Sequence, residues 1–299
     1  MPRSRFRRDL FAADRGLQLR MVVTAVLTPL VVLACLAAIA VLLPLKVAIG
    51  AGAALVFGIG AIVVERAQRP AATPLTVAEA PQLHALTERL CALADLPKPE
   101  IVREAEPEPN SWIVGVRRGG SRLHVTDGLL ELLAPDELEA VVAHELAHVA
   151  HRDAAVMTAV GGPGEALAHG GQLGRFGGFF PLQAGAILAA LVGLLSTVGS
   201  RSLARHRELA ADRGAVALTG RPAALASALT RITGRLALIP TEDLRVAAAR
   251  DAFNLLPAGE QHQGLRGRVM ATHPSLQTRI ARLERLEHAL HAGHLHVPD

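Results

Sequence analysis

The chain has 299 residues, 51% hydrophobic and 19% charged, with a mean hydropathy of +0.32; ordinary soluble domains run at roughly 45–50% and about 25%, so a disordered or fibrous chain is excluded and a purely soluble one disfavoured. The formal net charge is +4, Lys46 and Lys98 are the only lysines, aromatic residues make up 3% and Tyr is absent, so the stacking platforms of a nucleic-acid binder are missing. Cys35 and Cys91 define no disulfide framework, and the length suffices to bury the core of an enzyme.

Residues 1–20 form a basic amino terminus with six arginines (Arg3, Arg5, Arg7, Arg8, Arg15 and Arg20). Met21 to Leu43 is uncharged, longer than the roughly 20 residues that cross a hydrocarbon core of about 30 Å. A signal peptide is the weaker reading, because signal h-regions are only about 7–15 residues and a second apolar run, Val47 to Val64, follows at once. In that second run Gly50, Ala54 and Gly58 stand at the spacing that lets helix backbones approach closely. Residues 21–65 therefore read as a transmembrane hairpin. The arginine bias places the amino terminus in the cytoplasm, and two crossings return the chain to that side. Residues 66–76, with Pro70 and Pro74, read as a linker.

Val77 to Leu96 has apolar residues at helical spacing and is stopped by Pro97 and Pro99. Strand-like stretches follow at Glu100 to Ala105, Ser111 to Arg117 and Ser121 to Thr126, with Gly119 and Gly120 as a hairpin turn. An extended substrate could add to the edge of Ser111 to Val116, where Asn110 and Trp112 are candidate substrate-binding residues. Asp127 is positioned to cap a short helix through Leu133, and Pro135, Asp136 and Glu137 open a longer one.

The longer helix reads DELEAVVAHELAHVAHRD and sets His144 and His148 four residues apart, about 40 degrees around the axis and one turn along it. Both imidazoles can reach one ion. Glu145, about 100 degrees around from His144, can reach a water beside the ion without being a ligand. An open zinc site takes three protein ligands. Arg201 to Gly220 is a second helical pattern with Glu208 and Asp212 on one face; Glu208 supplies a third ligand, and Asp212 can accept the other ring N–H of a ligating histidine. His151 reads as a polar helix residue, and His84, His124, His169, His206 and His262 show no partner pattern.

Five ordered blocks now carry a resemblance across about residues 20 to 285: the hydrophobic hairpin, PNSWIVGV, VTDGLLELL followed by DELEAVVAHELAHVAHRD, SRSLARHRELAADRGA, and ATHPSLQTRIARL. The chain resembles the HtpX-type membrane zinc endopeptidases, relatives of the CAAX prenyl proteases. The resemblance implies an α+β, mostly helical fold with a zincin-like domain and a small sheet. It implies one Zn2+ per chain on His144, His148 and Glu208, Glu145 as catalytic base, and Asp212 in support. Ser111 and Trp112 depart from the small and aromatic residues more usual after the Asn. With no Tyr to hold an oxyanion, His273 or Arg279 is the candidate donor.

Phe176 to Ser200 is uncharged and long enough to span, yet an odd number of crossings would part Glu208 from the histidines. Residues 154–200 thus read as a hydrophobic hairpin, dipping into the bilayer or lying over the site as a lid, with a true pair of spans as the alternative. His288, His291, His294 and His296 make the 288–299 segment a His-rich tail without a rigid metal spacing. The resulting reading has a peptidase domain at 77–287, facing the cytoplasm from a bacterial-type inner membrane. The resemblance implies hydrolysis of unfolded or misfolded proteins in membrane-protein quality control; no nucleic-acid partner is expected, and the oligomeric state is left open. A non-catalytic zinc-binding regulatory membrane protein is the alternative, opposed by the intact Glu145 and the open fourth position.

Overall fold

The computed structural model describes residues 15–67, 73–116, 120–151, 166–167, 180–236 and 273–292. The arginine cluster before residue 15, the Gly119 corner, most of 152–179, and His169, His262, His294 and His296 lie outside these. Two compact units divide the chain.

The first unit described is the apolar one, residues 19–71 and 156–203. It contains α1 (Arg15–Leu42) and α2 (Leu45–Ala67), joined across Leu43 and Pro44. Met21–Leu42 and Leu45–Val64 are each long and apolar enough to cross a membrane. Their outward faces carry exposed Val22, Leu30, Val41, Val56 and Ile59, a distribution opposite to that of a soluble core helix. The inward stripe is small: Gly50, Ala51, Ala54 and Gly58 are buried. Against it packs the amino-terminal part of α6 (Phe180–Thr219), where a Cβ on Gly185 would run into the Val47 carbonyl. Backbone proximity of this kind is what small-residue spacing permits.

The second unit holds 72–155 and 204–299. Its sheet runs in the order β1-β2-β4-β3, from β1 (Thr73–Pro74), β2 (Glu100–Glu104), β3 (Ser111–Val116) and β4 (Gly120–Thr126). β2 and β4 are parallel, while β1 and β3 pair antiparallel with their neighbours. Residues 73–74, expected to be linker, instead form an edge strand, because the Leu75 N–H donates to the Ile101 carbonyl and the Leu75 side chain is buried. His84, with no partner pattern in the sequence, donates from Nε2 to the Leu75 carbonyl at 2.8 Å.

α5 (Pro135–Ala150) packs on the sheet at β3, and α3 (Pro81–Ala94) and α7 (Pro222–Leu236) pack against α5. Leu90, Ile101, Leu123, Leu146, Leu229 and, from α8 (Leu276–His291), Leu283 make one core. Each such side chain contributes about 1.5–3 kcal/mol on burial. The short α4 (Asp127–Leu132) is capped by Thr126, whose Oγ1 accepts from Leu129 N–H at 3.3 Å; Asp127, expected as the cap, lies in the first turn. α5 starts at Pro135, where the Glu137 carboxylate accepts the Ala134 N–H at 2.8 Å and is held by Ser227 and Arg231 of α7, each at 2.6 Å. Gly220 (φ +67) stops α6, its N–H returning to the Val216 carbonyl at 2.8 Å. The pattern read at Arg201 to Gly220 is thus the carboxyl-terminal end of a 40-residue helix that begins at Phe180.

Candidate metal centre

The core forces α5 inward on nearly every face from Ala140 to Ala147, so its polar residues are buried with the apolar ones: His144 is 0% and Glu145 4% exposed. Buried polar groups need partners. The partners come from α6, which carries Glu208 and Asp212 one turn apart, both buried.

One potential ligand atom from each of His144, His148 and Glu208 lies within 4.8 Å of the others. The two Nε2 atoms are 3.2 Å apart. Glu208 reaches His144 Nε2 with Oε2 at 3.5 Å and His148 Nε2 with Oε1 at 3.4 Å. Behind His144, Asp212 Oδ1 lies 3.0 Å from Nδ1. Asp212 in turn accepts from Arg279 Nε at 2.9 Å and Nη2 at 2.6 Å. Arg279 Nη1 is 3.7 Å and His273 Nδ1 3.4 Å from Glu208 Oε2. On α5's other neighbour, Ser111 Oγ of β3 donates to Glu145 Oε1 at 3.1 Å.

Two observations fit this cluster to a cation. Glu208 Oε2 is buried and accepts no hydrogen bond, and an unsatisfied buried carboxylate oxygen is costly. Two ring nitrogens 3.2 Å apart hold at most one proton between them, so at least one Nε2 presents a lone pair. Two imidazoles and one carboxylate are the donor set of an open transition-metal site.

The electrostatics are strongly displaced. Burial depresses the His144 pKa, but Asp212 and Glu208 outweigh it and lift it to about 9. Burial pushes Glu145 up. For Glu208 burial acts upward but is overcome by His273, His148 and His144, leaving it well below the carboxylate range. Asp212 is likewise lowered, burial being outweighed by Arg279 and His144.

Of the other residues singled out in the sequence, Arg279 is fully buried with two of its nitrogens on Asp212, and His273, 4% exposed, stands beside Glu208 just before α8. Asn110 is fixed through its main chain, its N–H donating to Thr126 Oγ1 and its carbonyl accepting from Thr126 N–H. Trp112 points to the sheet face opposite Ser111 and stacks on His124, ring centroids 4.9 Å apart, with His124 Nδ1 2.7 Å from Glu104. Sequence reading missed the Ser111 hydroxyl at Glu145 and Arg207 Nη2, 3.4 Å from His148 Nδ1. The Ser111 departure from the family pattern was its one visible signal.

Residues 77–287 match peptidase family M48. The chain is 42% identical over 291 residues to a "Protease HtpX homolog 1" of Streptomyces coelicolor, covering 92% of this chain and 94% of that protein. It is 44% identical over 220 residues to a "Protease HtpX homolog" of Moorella thermoacetica, covering 70% and 73%. Among solved structures, S. mikatae Ste24p is similar with a TM-score of 0.50 and 18% identity, over 92% of this chain and 66% of that one. At that identity the likeness concerns the fold.

Proposed function

The chain belongs to peptidase family M48 and is a membrane protease, and from that premise we propose that it is a zinc-dependent endopeptidase with its catalytic region at 77–287. The observation that carries this reading is the meeting of His144, His148 and Glu208 within 4.8 Å, with Glu145 one residue beyond a ligand. His144, His148 and Glu208 would hold one zinc ion. When bound, zinc supplies Lewis acidity and lowers the pKa of a water to about 7.

The chain's own residues do the rest. Glu145, whose burial raises its proton affinity, takes the proton of the attacking water and returns it to the departing amine. Asp212 holds His144 through Nδ1, and Arg279 holds Asp212. With both of those Arg279 nitrogens engaged, His273 is the better donor to the carbonyl oxygen as charge develops there.

Substrate lies along β3. The Thr126 N–H bonds to the Asn110 carbonyl while Ser111 faces Val125, so Ser111 occupies a non-hydrogen-bonded position and its own N–H and C=O turn to the open edge. An extended segment can add there, favouring unfolded chains over folded ones. The two apolar helices anchor the protein in the bilayer. The resulting function is removal of misfolded membrane proteins from the cytoplasmic side of a bacterial-type inner membrane.

The test uses the purified full-length protein in detergent with casein. Cleavage should stop on chelation and return with one equivalent of zinc. Undiminished cleavage by a preparation shown to be free of metal would overturn the reading.

A further inference from the structure

We propose that Ser111 is the positioning residue of the general base, its hydroxyl fixing the Glu145 carboxylate while its backbone addresses the substrate. The assignment rests on the reading of Glu145 as the base. Both side chains are buried, 1% and 4% exposed, and the Ser111 Oγ is 3.1 Å from Oε1. Among the described residues this hydroxyl is the one hydrogen-bond donor to Glu145, and Glu145 is its one acceptor. The terminal torsion of a glutamate is broad, so without a donor the carboxylate samples a wide arc. A hydrogen bond to Oε1 selects one orientation and leaves Oε2 to exchange the proton.

A hydroxyl suits both halves of the cycle. It donates to the carboxylate and, once Oε2 carries a proton, can still donate to the carbonyl-like Oε1. An alanine offers no such contact. The position of Ser111 in the sheet adds a second consequence. Its N–H and C=O face the open edge of β3. The residue that receives an extended substrate is therefore the one that orients the base, so that the scissile carbonyl and the carboxylate are referred to the same point of the strand. A serine serving only to fill the strand's inward face would affect stability and leave turnover alone.

The experiment compares wild type, Ser111→Ala, Ser111→Thr and Glu145→Gln as full-length, zinc-loaded proteins on a fluorogenic peptide. Ser111→Ala should lower kcat by about three- to tenfold, the scale of one lost hydrogen bond. KM and zinc content should stay at wild-type values. Ser111→Thr, which keeps the hydroxyl, should recover most of kcat. Unchanged kcat in the Ala variant overturns the assignment, as does a loss confined to KM, which would place Ser111 in substrate binding. A Thr variant as slow as Ala overturns it too. Glu145→Gln separates the two levels: if it is inactive while Ser111→Ala turns over normally, only the Ser111 assignment falls, whereas near wild-type activity in Glu145→Gln removes the base itself.

Discussion

Asp212 Oδ1 stands 3.0 Å from His144 Nδ1, one turn beyond Glu208 on the same face of α6. A single helix thus offers one carboxylate to the front of the imidazole and another to its back. On the proposed reading the rear carboxylate would hold the proton on Nδ1 and leave the Nε2 lone pair to a bound ion. Asp212→Asn keeps the size of the side chain and removes that charge. Metal affinity, measured by competition with a chromophoric chelator, is expected to fall about ten- to a hundredfold. An unchanged affinity would show that His144 is oriented by packing alone.

Arg279 is expected to matter for folding more than for chemistry. It is 0% exposed and grips Asp212 with two nitrogens. Arg279→Met leaves the Asp212 charge buried without its counterion, a loss of about 3–5 kcal/mol. The companion variant Arg279→Met with Asp212→Leu should regain much of the melting temperature while remaining poor in metal binding. If Arg279→Met instead melts like wild type but turns over slowly, the guanidinium belongs to the oxyanion site.

These partnerships show where the sequence was legible. His144, His148, Glu208 and Asp212 could be read because each pair is one helical turn apart, a periodicity that survives without tertiary knowledge. Glu145 followed from the same helix. Arg279 could be named but not assigned: it lies 67 residues from Asp212, and no local pattern encodes that contact. The Ser111 hydroxyl lies 34 residues from Glu145, a contact that no local pattern encodes either. Prolines around 73–74 suggested a linker, yet one N–H from Leu75 to Ile101 is enough to make an edge strand. The 40-residue α6 was read as an apolar segment and a separate polar helix because its composition changes sharply while its backbone does not.

Glu208→Ala should remove most of the zinc while leaving the two apolar helices inserted, since the carboxylate contributes to the metal cluster and to no part of the hydrophobic core. Glu145→Gln is its counterpart, with full zinc and proteolysis reduced at least about a hundredfold. Metal analysis and peptide cleavage on the same preparations check both. Full zinc occupancy in Glu208→Ala would transfer the third ligand elsewhere.

The metal-free protein should respond to pH in a direction set by His144. Its pKa of about 9 in the fold exceeds the ordinary 6.5, so its contribution to stability is complete below 6.5 and is lost as pH rises through about 9. Asp212 and Glu208, held below their ordinary 3.8 and 4.5, contribute above those values and lose their contribution as pH falls through the lowered ones. The chelator-treated protein is therefore expected to melt at a lower temperature at pH 9 than at pH 6.5. Zinc-loaded protein, with the proton on His144 Nε2 already displaced, should show little of that decline. Scanning fluorimetry in detergent at both pH values makes the comparison, and a metal-free melting temperature that rises toward pH 9 would contradict the assigned contacts.

Sidedness provides the last expectation, because the cluster ties it to chemistry. On the proposed reading, two crossings by α1 and α2 from a cytoplasmic amino terminus would bring residue 77 back to the cytoplasm. His144 and Glu208, 3.5 Å apart, must share one side. Val77, an exposed residue, and Ser202 on α6 are suitable sites for single cysteines in a background lacking Cys35 and Cys91. Both should resist a membrane-impermeant thiol reagent in intact cells and react once the cells are opened. Labelling of position 77 from outside would reverse the orientation. Labelling of position 202 alone would require an odd number of crossings between His144 and Glu208, which the cluster does not permit.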